Sequence, residues 1–245
     1  MANLPSLENA FAQLGETGWF STLHSTVQTE LMSSARLLHC KKGEHILNVG
    51  DPAAGLFGLV SGSCGLLLDR DDGQLVPVFR VDPGYWLGDL AVLSGERALV
   101  TIEAVSDVVL VNVPANKVLQ MVEQDPGLYK SFYALNRRNM ALALRVIAGL
   151  TADSSEMRIA LRLLLLNDFA ESPQPDVAVR QSDLCLHLGL SAPTVQRAMK
   201  KFSDLNLIDV GYSRIRVLNR LGLLRLAGRE EDPVPDNKGH SVDPK

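Results

Sequence analysis

The sequence predicts an α+β chain: an N-terminal antiparallel β-roll, a long helix, and a small C-terminal domain of helices and a strand pair. Three observations predict it. Ten of the 19 glycines fall between Gly43 and Gly95 and punctuate short apolar runs, the pattern of a compact antiparallel roll with tight turns. From Pro126 onward an apolar stripe recurs at helical spacing. Between Gln181 and Asn206 two helical patterns meet at a glycine.

Composition narrows the class of protein. At 245 residues, 46% apolar and 21% charged, the chain can form two modest globular domains. The opening MANLPSLENAF lacks a basic segment followed by an apolar run, so no secretory signal is expected. The most apolar later stretches, Leu142–Leu150 and Ile159–Leu166, are interrupted by Arg145 and Arg162 and are too short to span a bilayer. Cys40, Cys64 and Cys185 are widely spaced and form no disulfide framework, CxxC zinc pattern or cluster-ligand set. A cytoplasmic, reduced protein with no membrane partner is expected. No Walker A loop, HExxH, GxSxG or GxGxxG pattern occurs, which speaks against an enzyme.

Charge is divided unevenly. The chain carries −4 overall, with −7 over 1–176, +5 over 177–228 and −2 from Arg229 onward. An acidic body carries a basic segment suited to a polyanion.

Taken in order, 1–37 reads as helical, with a leading segment, Gly18-Trp19-Phe20, and an amphipathic stretch from Leu23 to Leu37. Strands follow from Lys41, with turns at Asp71-Asp72-Gly73 and Asp82-Pro83-Gly84. The β pattern resumes at Val100–Val105 and Val108–Val113, and Pro114 opens a short helix. The long helix carries Leu128, Phe132, Leu135, Leu142 and Val146 on one stripe. That stripe either packs on the roll or forms a seam with a second copy. The seam is favoured, because a paired reader gains affinity and register. Gly149 to Ser155 reads as a hinge, Glu156 to Phe169 as a helix, Glu171–Asp176 as a proline-rich loop, and the segment after Gly228 as a disordered tail. The expected organisation is a sensor roll over 1–125, a dimerisation helix over 126–150, a reader over 151–228 and a tail over 229–245.

The reader carries the functional signal. Its first helix, Ser182 to Leu188, opens on a capping-type serine. Gly189 supplies a sharp turn, Leu190 fills the corner, and small Cys185 lets the helices approach. Ser191 caps the second helix, Pro193 sits in its first turn, and Val195, Ala198, Met199 and Phe202 face inward. Thr194, Gln196, Arg197, Lys200 and Lys201 face outward, a set suited to base edges and phosphates. Ile208–Val210 and Arg214–Leu218, joined by a Gly-Tyr-Ser turn, read as a wing. The whole is a winged helix-turn-helix for double-stranded DNA.

The segments KKGEHILNVGD, GLVSGSCGLLL, PGYWLGDLAVLSGERA and EMRIALRLL, followed by the helix-turn-helix, stand in an order that resembles the cyclic-AMP receptor protein / fumarate–nitrate regulator (CRP/FNR) family of bacterial transcription regulators. The resemblance covers roughly 18–228. It implies a cyclic-nucleotide-binding-like roll with a phosphate cassette at Gly88, Asp89, Leu90 and Ala91 through Arg97 and Ala98. Gly88 lets the backbone turn, the following helix start offers N–H groups to an anion, and Arg97 can fork onto a phosphate. Arg97 can equally pair with Glu96 or Asp89 on the surface.

The departures from the family pattern weigh as much as the match. Asp89 stands where cyclic-nucleotide binders usually carry Glu, Leu99 follows Ala98, and Ala143 and Leu144 occupy the helix positions of polar adenine contacts. A site without polar readers discriminates poorly, so cyclic AMP is not the expected effector; another small molecule, or none, remains open. No iron–sulfur cluster is expected, because no cysteine precedes Cys40. Nor is haem, because His24, His39 and His45 are isolated. Redox sensing through Cys185 stays open as a lesser reading.

Base-contacting positions of the family fall on Ala192, Pro193 and Arg197. Arg197 can grip guanine, whereas Ala192 and Pro193 remove two polar readers, so the operator should differ from a TGTGA-type half-site. Lys200, Lys201, Arg214 and Arg216 suit phosphates. The implied protein is a homodimeric regulator on an inverted-repeat operator, with RNA polymerase as partner at target promoters. The alternative is a cyclic-nucleotide-binding regulatory module acting on a protein partner.

Overall fold

The computed structural model describes residues 5–169, 176–177, 179–211 and 214–229. They divide into two compact units, with the boundary between Val146 and Ile147.

The first unit begins with three short helices, α1 (Leu7–Gly15), α2 (Gly18–Ser21) and α3 (Ser25–Ser33). Ser6 caps α1 by accepting from the Asn9 N–H. Eight strands follow: β1 (Arg36–Cys40), β2 (His45–Leu47), β3 (Gly55–Ser61), β4 (Cys64–Asp69), β5 (Leu75–Val81), β6 (Trp86–Leu87), β7 (Thr101–Ala104) and β8 (Val108–Pro114). They form two four-stranded antiparallel sheets, ordered β1-β8-β3-β6 and β2-β7-β4-β5. β3 and β8 are buried along nearly their whole length, as their continuous apolar runs GLFGLV and VVLVNV require. The β4–β5 hairpin closes where Gly73 donates its N–H to the Arg70 carbonyl at 2.8 Å.

Helix α4 (Asp89–Ser94) interrupts the strands. α5 (Ala115–Gln124) and α6 (Leu128–Leu150) follow β8. One core joins these parts. Phe11, Trp19, Phe20, Trp86 and Phe132 form a continuous aromatic cluster, with Trp19 5.4 Å from Trp86 and 5.7 Å from Phe132 between ring centroids. Trp19 Nε1 donates to the Ser131 carbonyl at 2.7 Å, tying α2 to the start of α6.

The second unit holds α7 (Ser155–Asp168), β9 (Asp176–Val177), α8 (Gln181–Leu188), α9 (Ala192–Asp204), β10 (Ile208–Gly211), β11 (Arg214–Val217) and α10 (Arg220–Leu226). Its three strands are ordered β10-β11-β9. Ile159, Leu163, Leu184, Val195, Phe202, Ile215 and Leu223 close its core. Arg220 and Asp168 pair at 3.1 Å between α10 and α7.

Several elements differ from the sequence expectation. The third helix stops at Ser33, and Leu37 belongs to β1, whose ladder against β8 pairs Leu38 with Leu110; long-range strand pairing overrides a helical pattern weakened by β-branched and hydroxyl residues. Helix α8 starts one residue early. Its start is satisfied by the Asp183 carboxylate accepting from the Arg180 N–H at 3.2 Å, not by Ser182. Strand β9 and helix α10 add to the reader. The segment 170–175, residues 212–213 of the wing turn and the tail 230–245 lie outside the described residues.

Phe132→Ala removes the ring that seats α6 in the aromatic cluster and is expected to cost about 3–5 kcal/mol, read from urea denaturation curves; a loss below about 1 kcal/mol would show that α6 is held elsewhere.

Candidate effector cassette and nucleic-acid interface

The C-terminal pair of helices is built for close approach. Helix α8 ends where Gly189 turns left-handed at φ 61°, ψ 36°, and both Gly189 and Leu190 donate their N–H groups to the Cys185 carbonyl. Ser191 Oγ accepts the Thr194 N–H at 3.4 Å, and Pro193 occupies a first-turn position where no donor is needed. The 3.6-residue period then sorts α9 into two faces. Val195, Ala198, Met199 and Phe202 are buried, while Ala192, Pro193, Gln196, Arg197, Lys200 and Lys201 are exposed and Thr194 is half-buried. Lys201 Nζ lies 2.6 Å from Glu156 Oε2, so its charge is partly compensated within the unit. Arg214 opens β11 on the exposed side of the ladder, and Asp209 stands opposite Arg216.

In the first unit, β6 leads into Gly88 at φ 90°. A Cβ there would meet the Gly55 carbonyl oxygen at 2.2 Å, so both conformation and space demand glycine. Asp89 follows as the first residue of α4 and is only 3% exposed. Its Oδ1 accepts from Asn139 Nδ2 at 2.8 Å and its Oδ2 from Asn136 Nδ2 at 3.2 Å. Asn139 Nδ2 also donates to the Trp86 carbonyl at 3.2 Å. Burial pushes the Asp89 carboxyl above the ordinary carboxylate range, against the pull of Asn139, Asn136 and the backbone N–H groups of Asp89 and Leu90.

Arg97 turns elsewhere. Its Nη1 donates to the Gly50 carbonyl at 2.6 Å, and the neighbouring backbone is zipped to the same loop through Gly50 N–H to Ala98 O (2.8 Å) and Ala98 N–H to Asp51 O (2.9 Å). The Asn48 backbone and side-chain N–H groups hold Asp51 below the usual carboxylate range, and Arg97 adds to this. Neither Asp89 nor Glu96 takes the Arg97 guanidinium. Leu90 is exposed, whereas Ala91 and Ala98 are buried.

Helix α6 departs from expectation. Leu128, Phe132 and Leu135 lie in the first unit's own core, and Leu142 and Val146 are also buried within the single chain. The stripe expected to meet a second copy is therefore turned inward. A second apolar face is exposed instead: Tyr129, Tyr133, Met140, Leu144 and Ile147, between 49% and 66% accessible. A sequence stripe marks an apolar face but not which of two faces its own chain covers.

Residues 37–125 match the cyclic nucleotide-binding domain family. Residues 157–226 match the Crp-like helix-turn-helix domain family. Together the two matches take in well over half of the chain. The chain belongs to the CRP/FNR family.

This CRP/FNR regulator is 26% identical over 198 residues to the transcriptional regulatory protein btr of Bordetella pertussis, across 78% of this chain and 80% of that protein. It is 25% identical over 197 residues to the transcriptional activator protein anr of Pseudomonas aeruginosa, covering 77% and 79%. FixK2 from Bradyrhizobium japonicum shares the fold, with a TM-score of 0.70 at 21% identity over 80% of this chain and 99% of that one. The family is one of transcription regulators, not enzymes. Among the described residues no helix is long and apolar enough to cross a membrane, and no group of His, Cys, Asp or Glu could hold a metal ion. Cys64 is buried, with its thiol pushed up to about 12.

In this regulator the cassette residues Gly88 to Ala91 share one turn, while Arg97 and Ala98 join the Gly50–Asp51 loop. Asn136 and Asn139 were invisible to sequence reasoning. A pair of amides three residues apart on a helix is the one signal that could have marked them.

Ser191→Ala removes the N-cap of α9 and is expected to cost about 1 kcal/mol, seen as faster amide exchange at Thr194 and Val195; unchanged exchange would show that the helix start is held by another group.

Proposed function

We propose that this regulator acts as a homodimer on an inverted-repeat operator, presenting one α9 from each copy to a major groove. The observation that carries the reading is the sorted face of α9, where Gln196, Arg197 and Lys200 are exposed over a stripe locked into the core. Arg197 takes guanine O6 and N7 bidentately, and Gln196 reads beside it. Ala192 and Pro193 offer only apolar contact, for which a thymine methyl is the matching partner. Lys200 and Arg214 hold phosphates, and Lys201 joins them by giving up Glu156. RNA polymerase is the downstream partner at target promoters.

The exposed face of α6 supports pairing. Tyr133, Met140, Leu144 and Ile147 recur at steps of seven, four and three, the spacing of a two-helix seam. The seam belongs to this face, not to Leu128, Phe132, Leu135, Leu142 and Val146. Cyclic AMP is not the effector: Ala143 and Leu144 offer no polar contact to a base, and Asp89 is engaged by α6. A module acting only on a protein partner has no observation in its favour, because the Crp-like helix-turn-helix is present.

Gel shifts on the protein's own promoter region, at two salt concentrations, test the reading. Arg197→Ala is expected to lose about 1–3 kcal/mol at one base pair of each half-site, and Lys200→Ala to weaken all sequences alike and lower the salt slope by about one. Uniform weakening by Arg197→Ala would remove it from base reading.

A further inference from the structure

The cations on the outer face of α9 are not equivalent. Among the described residues Arg197 and Lys200 have no ion-pair partner, whereas Lys201 Nζ lies 2.6 Å from Glu156 Oε2. That carboxylate is 45 residues away in the chain. It belongs to the acidic stretch 1–176, yet it folds against the basic segment 177–228, so the +5 of that segment overstates the charge its surface presents.

Glu156 is set in place independently of the lysine. It stands in the first turn of α7, whose start is fixed where Ser154 Oγ accepts from the Met157 N–H at 3.1 Å. The unsatisfied N–H groups of a helix start favour an acidic side chain there. Ile159 and Leu163 of α7 share a core with Val195 and Phe202 of α9, so the spacing of carboxylate and ammonium is fixed within one packed unit. The two side chains keep 38% and 49% of their surface in water. An ion pair this exposed adds little to stability, and buried side chains already join the helices. What it changes is the charge available to DNA.

A lysine brought to a phosphate releases a counterion from the duplex. A lysine that must first leave a carboxylate exchanges one anion for another, and the freed carboxylate gathers a counterion of its own, so the net release falls. The carboxylate also stays within a side chain's length of the arriving phosphate, and like charges oppose each other.

We propose that Glu156 sets the affinity of this reader for any duplex by competing with DNA phosphate for Lys201. Phosphate contacts carry no sequence information, so the competition weakens all sequences alike. Gln196 and Arg197, a turn nearer the start of α9, keep their base contacts. Non-specific binding rests on phosphates alone, and the reader is thereby held off bulk DNA. The proposal rests on the reading of α9 as the groove helix.

Fluorescence anisotropy on the full-length protein tests it, with a random-sequence duplex and a duplex from the protein's own promoter region over a series of salt concentrations. Glu156→Gln is expected to bind both duplexes about fivefold more tightly at low salt and to steepen the dependence of log Kd on log salt by about one. In a Lys201→Ala background the same substitution should change affinity by less than about twofold. Thermal unfolding should be the same in every variant. Unchanged affinity and slope in Glu156→Gln, a gain at the promoter duplex alone, or an equal gain without Lys201 would overturn the proposal. Elution from heparin, a polyanion with no bases, separates it from the DNA reading. A wild type that binds neither duplex would sink the reading of α9; later elution of Glu156→Gln, abolished by Lys201→Ala, would still uphold the competition for Lys201, and unchanged elution would overturn it.

Discussion

A helix with two apolar faces leaves one of them in water when its own chain covers only the other. α6 is such a helix. Leu128, Phe132 and Leu135 close the aromatic core of the first unit, while Tyr133, Met140, Leu144 and Ile147 remain in water. Apolar surface of this extent on a single helix favours association. The same helix carries Asn136 and Asn139 to the cassette and passes at Val146 into the second unit. The cyclic nucleotide-binding domain, the exposed apolar face and the start of the second unit are therefore joined by one helix.

The N-terminal helices explain why this element stays put. Trp19 contacts both Trp86 and Phe132 and donates to the Ser131 carbonyl. The strand that enters the cassette and the start of α6 thus share a wall of rings. Close packing of this kind leaves little room for its members to shift, so the start of α6 is held against the strand that enters the cassette.

Much of this was legible in the sequence because it is local. Glycines and Asp-Gly or Pro-Gly pairs placed the roll and its turns, and Ser191, Pro193 and Gly189 placed the reader, since caps and left-handed turns depend on residues next to them. What was not legible is long-range. Whether Leu37 ends a helix or begins a strand is decided by Val111 opposite it, 74 residues away. Asp89 reads as a ligand contact until Asn136 and Asn139, nearly 50 residues on, are folded against it. The stripe on α6 reads as an apolar face for a second copy, whereas Leu128, Phe132 and Leu135 close the first unit's core and Leu142 and Val146 are buried within the single chain.

The pairing of copies through the outer face of α6 is most directly tested by sedimentation velocity on the wild type and the double variant Met140→Glu, Leu144→Glu. The wild type should sediment at twice the chain mass and the variant at one, with both showing the same thermal unfolding of the first unit. A wild type that remains a single chain at every concentration, or a variant that still pairs, would contradict it.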